Sequence, residues 1–528
     1  MTAAASFDAP DSFFPVLTTF LSLCGCLWVI SGAADDDAAM FPSRSPEEPA
    51  WRSGLVISGG ALSAVTLMAL IGLVALTGYD GMMLSLGVVM GLVLLALLFA
   101  DPLRRAGGYT VGDALAHRFP ERSVRLAMGL VTLCVCLPYV VLQLTAIGSL
   151  SAFVLGLTST GAKTTCILVI GGVVVSLAVS GGVRGTGRVQ LVKVLVLLLV
   201  MTAAAVLVLD RFGWNPNRLL GAAATGSGLG EAFLGPGVQY GDGPMAVANR
   251  FGQLITVALA VCCLPHVTMR VLGAPPGRAT RMAMRWAVGQ LIAISALLVI
   301  IGLGAAAILG GPALSKADPT GSMSLLLVTH VLSPGGILVS AVFSAVFLTA
   351  LTTVADVMLA AATSVARDLL PRHPRPGTES VPRQDRHARW AAAVVGAVAV
   401  ALSAQAVGWN LLVLSTLALT LTASALAPVL AYTFLWRGFT RRGLLWCVYG
   451  ASVLTLALLA VSPLLSGSPM AAFPDRDFHG TALVNPGLVT VPAGFALGWL
   501  GSVLDRRSTK VATYESLATA VVSGDPQR

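Results

Sequence analysis

Apolar runs of about 20 residues, the length a helix needs to cross roughly 30 Å of hydrocarbon, recur along the whole chain. No other feature restricts the fold so tightly. A chain that crosses lipid must satisfy its backbone polar groups internally, which leaves helices or closed barrels. Barrel strands are shorter than these runs and alternate polar with apolar residues, so helices are the reading that fits. Composition agrees: of 528 residues 56% are hydrophobic and only 11% are charged, against roughly a quarter charged in soluble domains. Thirteen spans are predicted, over 12–33, 54–78, 81–100, 124–156, 162–180, 188–210, 251–273, 287–312, 335–366, 390–408, 410–435, 444–466 and 486–504. The first follows Asp8 and Asp11 and lacks the basic start and cleavage site of a signal peptide, so it is read as a helix.

The net charge of +9 reads as topology rather than as a nucleic-acid surface, because the arginines lie in short connectors without interleaved aromatics. One alternate set of connectors carries Arg104, Arg105, Arg118 and Arg122, then Arg184 and Arg188, then Arg270, Arg278, Arg281 and Arg285. It continues with Arg367, Arg372, Arg375, Arg383, Arg386 and Arg389, then Arg437, Arg441 and Arg442, and ends with Arg506, Arg507 and Lys510. Basic connectors stay in the cytoplasm, so the N-terminus is expected outside the plasma membrane and the C-terminus inside. All eight cysteines fall inside apolar runs with no C-x-x-C pair, and read as packing residues. The longest connector, about 211–250, and the tail after 505 offer no room for a catalytic domain, and no obligate protein partner is evident.

Function is to be sought where spans are interrupted. The second span contains Ser58-Gly59-Gly60-Ala61-Leu62-Ser63, and the seventh contains Cys262-Cys263-Leu264-Pro265-His266, where the proline removes a backbone donor. The two lie five spans apart. Because five is odd, spans 2–6 and 7–11 would form inverted repeats, each opening on a broken helix, as in secondary transporters with a midplane site. The plain alternative is that glycine and proline simply help membrane helices pack. On the ninth span Thr349, Thr352, Thr353 and Asp356 share one face. They suit a hard cation such as Na⁺, or else the threonines bond back to their own helix. Tyr139 and Gln143, on one face of the fourth span, either bind a solute or bond across helices. His266 reads as a structural hydrogen-bond partner, and Lys193 is expected to snorkel toward the membrane surface.

Gly78-Tyr79-Asp80-Gly81, Asp101-Pro102-Leu103-Arg104-Arg105 and Tyr109-Thr110-Val111-Gly112-Asp113 resemble the sodium:solute symporter family, and within it the cation/acetate symporter (monocarboxylate transporter) branch. Gly181-Gly182 with Gln190 and Lys193, the run Leu264 to Arg270, and the run Ser364 to Leu369 extend the resemblance in order from about 50 to 440. It implies an all-α membrane protein with a LeuT-type 5+5 inverted-repeat core and extra helices at both ends. The implied organisation is 1–53 N-terminal helix and cytoplasmic linker, 54–210 first repeat, 211–250 extracellular loop, 251–435 second repeat, 436–504 two extra helices and 505–528 cytoplasmic tail.

The resemblance also implies a cation held by the carbonyls of Gly59, Leu62 and Thr349 and the hydroxyls of Thr352 and Thr353; Asp356, from the helix face above, is read as a supporting polar residue. The solute would lie near Ala64, Tyr139, Gln143 and Leu264, with Gly60, Pro265 and His266 forming the breaks. No cofactor is expected beyond Na⁺ or H⁺ as coupling ion, and the partners are a small organic anion and membrane lipid, not nucleic acid. The family's acidic residue and phenylalanine are missing from the first break, and Cys263 stands where a glycine is usual. The leading expectation is Na⁺-coupled symport of a monocarboxylate such as acetate, propionate or pyruvate. A symporter of another small solute (an amino acid or sugar) and a non-transporting sensor remain as alternatives.

Overall fold

The computed structural model describes residues 9–34 and 48–505 except 158, 276, 335, 371–380, 410, 468–470, 474, 475 and 482. Each of the thirteen predicted runs overlaps a helix among the described residues, though several run past the helix end, as at 461–466. The elements are α1 (Ala9–Ala34), α2 (Ala50–Ala61), α3 (Ala64–Thr77), α4 (Tyr79–Ala106), α5 (Arg122–Val154), α6 (Thr160–Val183) and α7 (Gly185–Arg211). They continue with α8 (Pro244–Cys263), α9 (Pro265–Leu272), α10 (Arg278–Leu309), α11 (Ile337–Leu369), α12 (Arg386–Gln405), α13 (Leu411–Leu435), α14 (Arg441–Ala460) and α15 (Gly487–Val503). Among the described residues ten helices are long and apolar enough to cross a membrane, and α2 with α3 adds one bent span. The shorter apolar stretches of α1 and α15 fill the first and last predicted runs. The linker after α1, the C-terminal tail and the basic residues Arg372, Arg375, Arg506, Arg507 and Lys510 lie outside the described residues.

Local chemistry accounts for the breaks. Leu62 and Ser63 are extended, and the Ser63 hydroxyl caps the new helix by accepting the Thr66 N–H at 3.0 Å. The axis turns by 66° between α2 and α3. In the second break Leu264 is extended (φ −53°, ψ 127°) ahead of Pro265, which takes the first position of α9, where its missing N–H is harmless. A third interruption separates α6 from α7 at Gly182, whose φ of 53° and ψ of −160° would strain any residue with a Cβ.

Helix α11 is the axle of the molecule, with 89% of its most apolar stretch buried against 39% for α6. Both breaks and α7 meet around it, so the polar residues of α11 face protein rather than lipid. Cys262 and Cys263 are fully buried beside the second break, as expected of packing residues.

Candidate functional site

The first break exposes carbonyls that no longer serve a continuous helix. Helix α7 approaches them closely because Gly59 has no side chain: a Cβ there would lie 2.8 Å from Val194 Cγ2 and 2.9 Å from Gln190 Oε1. Through this gap Lys193, 0% exposed, donates from Nζ to the carbonyls of Gly59 (2.5 Å) and Leu62 (3.0 Å). The expectation that Lys193 snorkels to the surface is therefore overturned. Two carbonyls at the first break lie within reach, each with a lone pair to spare, and offer an ammonium the acceptors it would otherwise seek in water. The carbonyl between them is also engaged, since His266 Nε2 lies 3.1 Å from the Gly60 oxygen. The two breaks are thus joined directly through the His266 ring.

The threonine face of α11 comes to the same place. Thr353 Oγ1 donates to the Leu62 carbonyl at 3.3 Å and to its own Thr349 carbonyl at 2.8 Å. Thr352 bonds back to Leu348 and Thr349, and Thr349 to Ala345. The structure brings Gly59, Leu62, Thr349 and Thr353 together, whereas the Thr352 hydroxyl turns back along its helix.

Below this cluster lies a buried charge network that the sequence reading missed. Asp356, 0% exposed, accepts from Gln190 Nε2 at 2.7 Å and from Arg270 Nε at 3.3 Å, and a second bond joins Arg270 to its other oxygen. Arg270 also donates to the Val183 carbonyl beside the Gly182 kink (2.8 Å) and to Thr186 Oγ1 (2.7 Å). Counting Arg270 with the basic connectors hid it. The available signal was its position on the short helix opened by Pro265, together with an intramembrane aspartate that needs a cationic partner.

On the other side of the first break, Gln143 Oε1 accepts the Val65 N–H at 3.4 Å. Its Nε2, almost fully buried, has no hydrogen-bond partner among the described residues. The Tyr139 hydroxyl lies among Ser63, Thr66 and Gln143, and its ring centroid is 5.7 Å from that of His266. Ala64 and Leu264 are buried at the two breaks. An unpaired amide donor beside a phenol suits a carboxylate oxygen, because an acceptor is what it lacks.

A small cleft lined by Tyr109, Thr110, Thr132, Pro265, Met269 and Ser364, among others, leads toward the second break. Thr110 Oγ1 donates to Asp368 (3.2 Å), while Asp113 pairs with Arg125 (3.1 Å) and with Arg367 (2.6 Å). These contacts tie the connector after α4 to the end of α11 across the cleft.

Residues 49–450 match the family described as the sodium:solute symporter family. The chain belongs to this family. It is 30% identical over 490 residues to the monocarboxylic acid transporter of Corynebacterium glutamicum, covering 90% of this chain and 88% of that protein. It is also 30% identical over 464 residues to the uncharacterized symporter YwcA of Bacillus subtilis, covering 87% of each. Among solved structures, a Na⁺-coupled sialic acid symporter in its substrate-bound outward-open state superposes with a TM-score of 0.70 at 16% identity, over 94% of this chain and 98% of that one. The fold is LeuT-type, as expected, and this symporter-family chain is a multi-pass membrane transporter rather than an enzyme.

A coupling sodium is implied by the family, and the expected ligands can be tested against it. Two unit charges about 4 Å apart repel by about 4 kcal/mol even at an effective dielectric of about 20. A sodium ion sharing the Gly59 and Leu62 carbonyls with the Lys193 ammonium would meet that repulsion. With Lys193 in place, this carbonyl pair does not fit a free sodium ion.

Proposed function

We propose that this symporter carries a small monocarboxylate, such as acetate, propionate or pyruvate, across the plasma membrane by alternating access. The observation that carries the reading is the unpaired, buried Gln143 Nε2 beside Tyr139 at the first break. Charge supports it: two cationic side chains, Lys193 and Arg270, stand about the breaks against the single carboxylate of Asp356. A solute anion would offset the excess, whereas a sugar would not. The similarity to a monocarboxylic acid transporter points the same way.

In this reading the solute carboxylate accepts from the Gln143 amide and the Tyr139 hydroxyl, and its small apolar end rests against Ala64 and Leu264. Lys193, His266 and the Arg270–Asp356 pair link the broken helices to α7 and α11, so that the breaks shift as one unit when access switches. Release toward the connector after α4 requires the Thr110–Asp368 and Asp113–Arg367 contacts to part.

The test is uptake of labelled acetate into vesicles holding the purified chain, under separately imposed Na⁺ and H⁺ gradients. Saturable accumulation, competed by propionate and pyruvate but not by glucose or alanine, is the expected result. Saturable binding without accumulation would favour a sensor, and competition by amino acids or sugars alone would favour another cargo. The proposed orientation, N-terminus outside and C-terminus in the cytoplasm, follows from the basic connectors. A reporter that fluoresces only in the cytoplasm is expected to light up when fused to the C-terminus and to stay dark when fused ahead of α1.

A further inference from the structure

We propose that the Lys193 ammonium is a covalently tethered replacement for a coupling cation at the first helix break, so that this site functions without sodium. Three observations converge on it. The amine donates to two main-chain carbonyls, Gly59 and Leu62, rather than to the nearby carboxylate, because the Asp356 oxygens are taken by Arg270 and Gln190. Those carbonyls lie at the C-terminal end of a half-helix, where the partial negative charge of the backbone dipoles favours a cation of either kind. The third is the Thr353 hydroxyl, which reaches the same Leu62 carbonyl and completes an oxygen cluster of the kind a small cation would otherwise fill.

Alternative roles for the lysine account for less. It is fully buried, so it does not serve the membrane surface. It is not needed to neutralise Asp356, which already holds a guanidinium in two hydrogen bonds. The charged and titratable groups around it are Asp356 and Arg270, with His266 beyond them at the second break. None of these donates to the Gly59 carbonyl, which leaves the ammonium as the resident positive charge of the cluster.

The proposal is independent of which solute is carried, and its test reads the ion alone. The full-length chain, purified in detergent, is melted in NaCl and in KCl or choline chloride at equal ionic strength. Any sodium-specific rise in Tm of the native chain reports a cation bound elsewhere and is expected to persist when Lys193 is substituted. Lys193→Ala removes the ammonium from both carbonyls, leaving only the Thr353 hydroxyl on Leu62 and the Leu62 N–H on Gly59, and is expected to gain a saturable, sodium-specific rise of about 2–4 °C or more. If Lys193→Ala does not fold, Lys193→Ser, whose short side chain also withdraws the cation from the carbonyls, is measured in its place. A saturable sodium-specific rise in the native chain that the substitution abolishes would overturn the proposal. So would the absence of any sodium response in the substituted protein, because the carbonyls would then form no cation site. Neither result depends on acetate being the cargo, so failure here and failure of the monocarboxylate reading are separable.

Discussion

Asp356→Ala is expected to abolish transport and to destabilise the chain by about 3–5 kcal/mol, the usual cost of removing one partner from a buried ion pair. The reason is what it leaves behind. Arg270 is anchored to the Val183 carbonyl and Thr186 as well as to Asp356, so it cannot swing out to water without tearing the kink beside Gly182. Gln190 loses its acceptor too. An uncompensated guanidinium then sits next to Lys193, in a region where like charges are poorly screened. Melting of the purified protein and its yield in the membrane measure the first effect, and vesicle uptake measures the second. Pairing Asp356→Ala with Arg270→Met is expected to recover most of the melting temperature, since removing both charges is far less costly than removing one. It is not expected to recover uptake, because the link between the second break and α11 is gone. A double variant that remained as unstable as Asp356→Ala would show that the pair is not what holds this region together.

Gln143→Leu is expected to raise the KM for the carboxylate solute by roughly 10–100-fold. A hydrogen bond to a charged group contributes about 1.5–3 kcal/mol, and each ~1.4 kcal/mol is tenfold in affinity. The fold should hardly notice, because the substitution removes a long 3.4 Å bond to the Val65 N–H and deletes a buried donor that has no partner among the described residues. Unchanged melting together with a raised KM is therefore the signature. Unchanged KM would remove Gln143 from the solute site, and with it the principal support for an anionic cargo.

Much of this architecture is readable in the sequence because lipid permits so few solutions. The apolar runs place the helices, and Pro265 marks the second break through purely local sterics. Gly60, expected to form the first break, instead stays helical with Gly59, and the chain opens two residues later at Leu62 and Ser63. The threonine face was readable too, from spacing alone. What spacing cannot supply is the direction of a long side chain. Distance from a span end, a rule suited to lipid-facing helices, misplaces Lys193 and Arg270, because α7 and α9 face inward at those positions. The close approach at Gly59 that draws Lys193 inward is a tertiary property, carried by Val194 and Gln190 on another helix. Likewise spacing does not orient the Gln143 amide, whose oxygen accepts the Val65 N–H and whose nitrogen has no partner among the described residues.

A charge bolted to α7 has an electrical consequence. A free ion that enters with the solute is delivered to the cytoplasm and contributes its charge to the transport cycle, but the Lys193 ammonium returns with the protein. Carriage of a monocarboxylate anion with no other ion would then move one negative charge inward. An inside-negative membrane opposes that by about 2.3 kcal/mol for each 100 mV. Accumulation therefore requires a mobile cation bound elsewhere in the molecule. If one such ion moves with each carboxylate, the cycle is electroneutral, and collapsing the membrane potential at constant ion gradient leaves the extent of uptake unchanged.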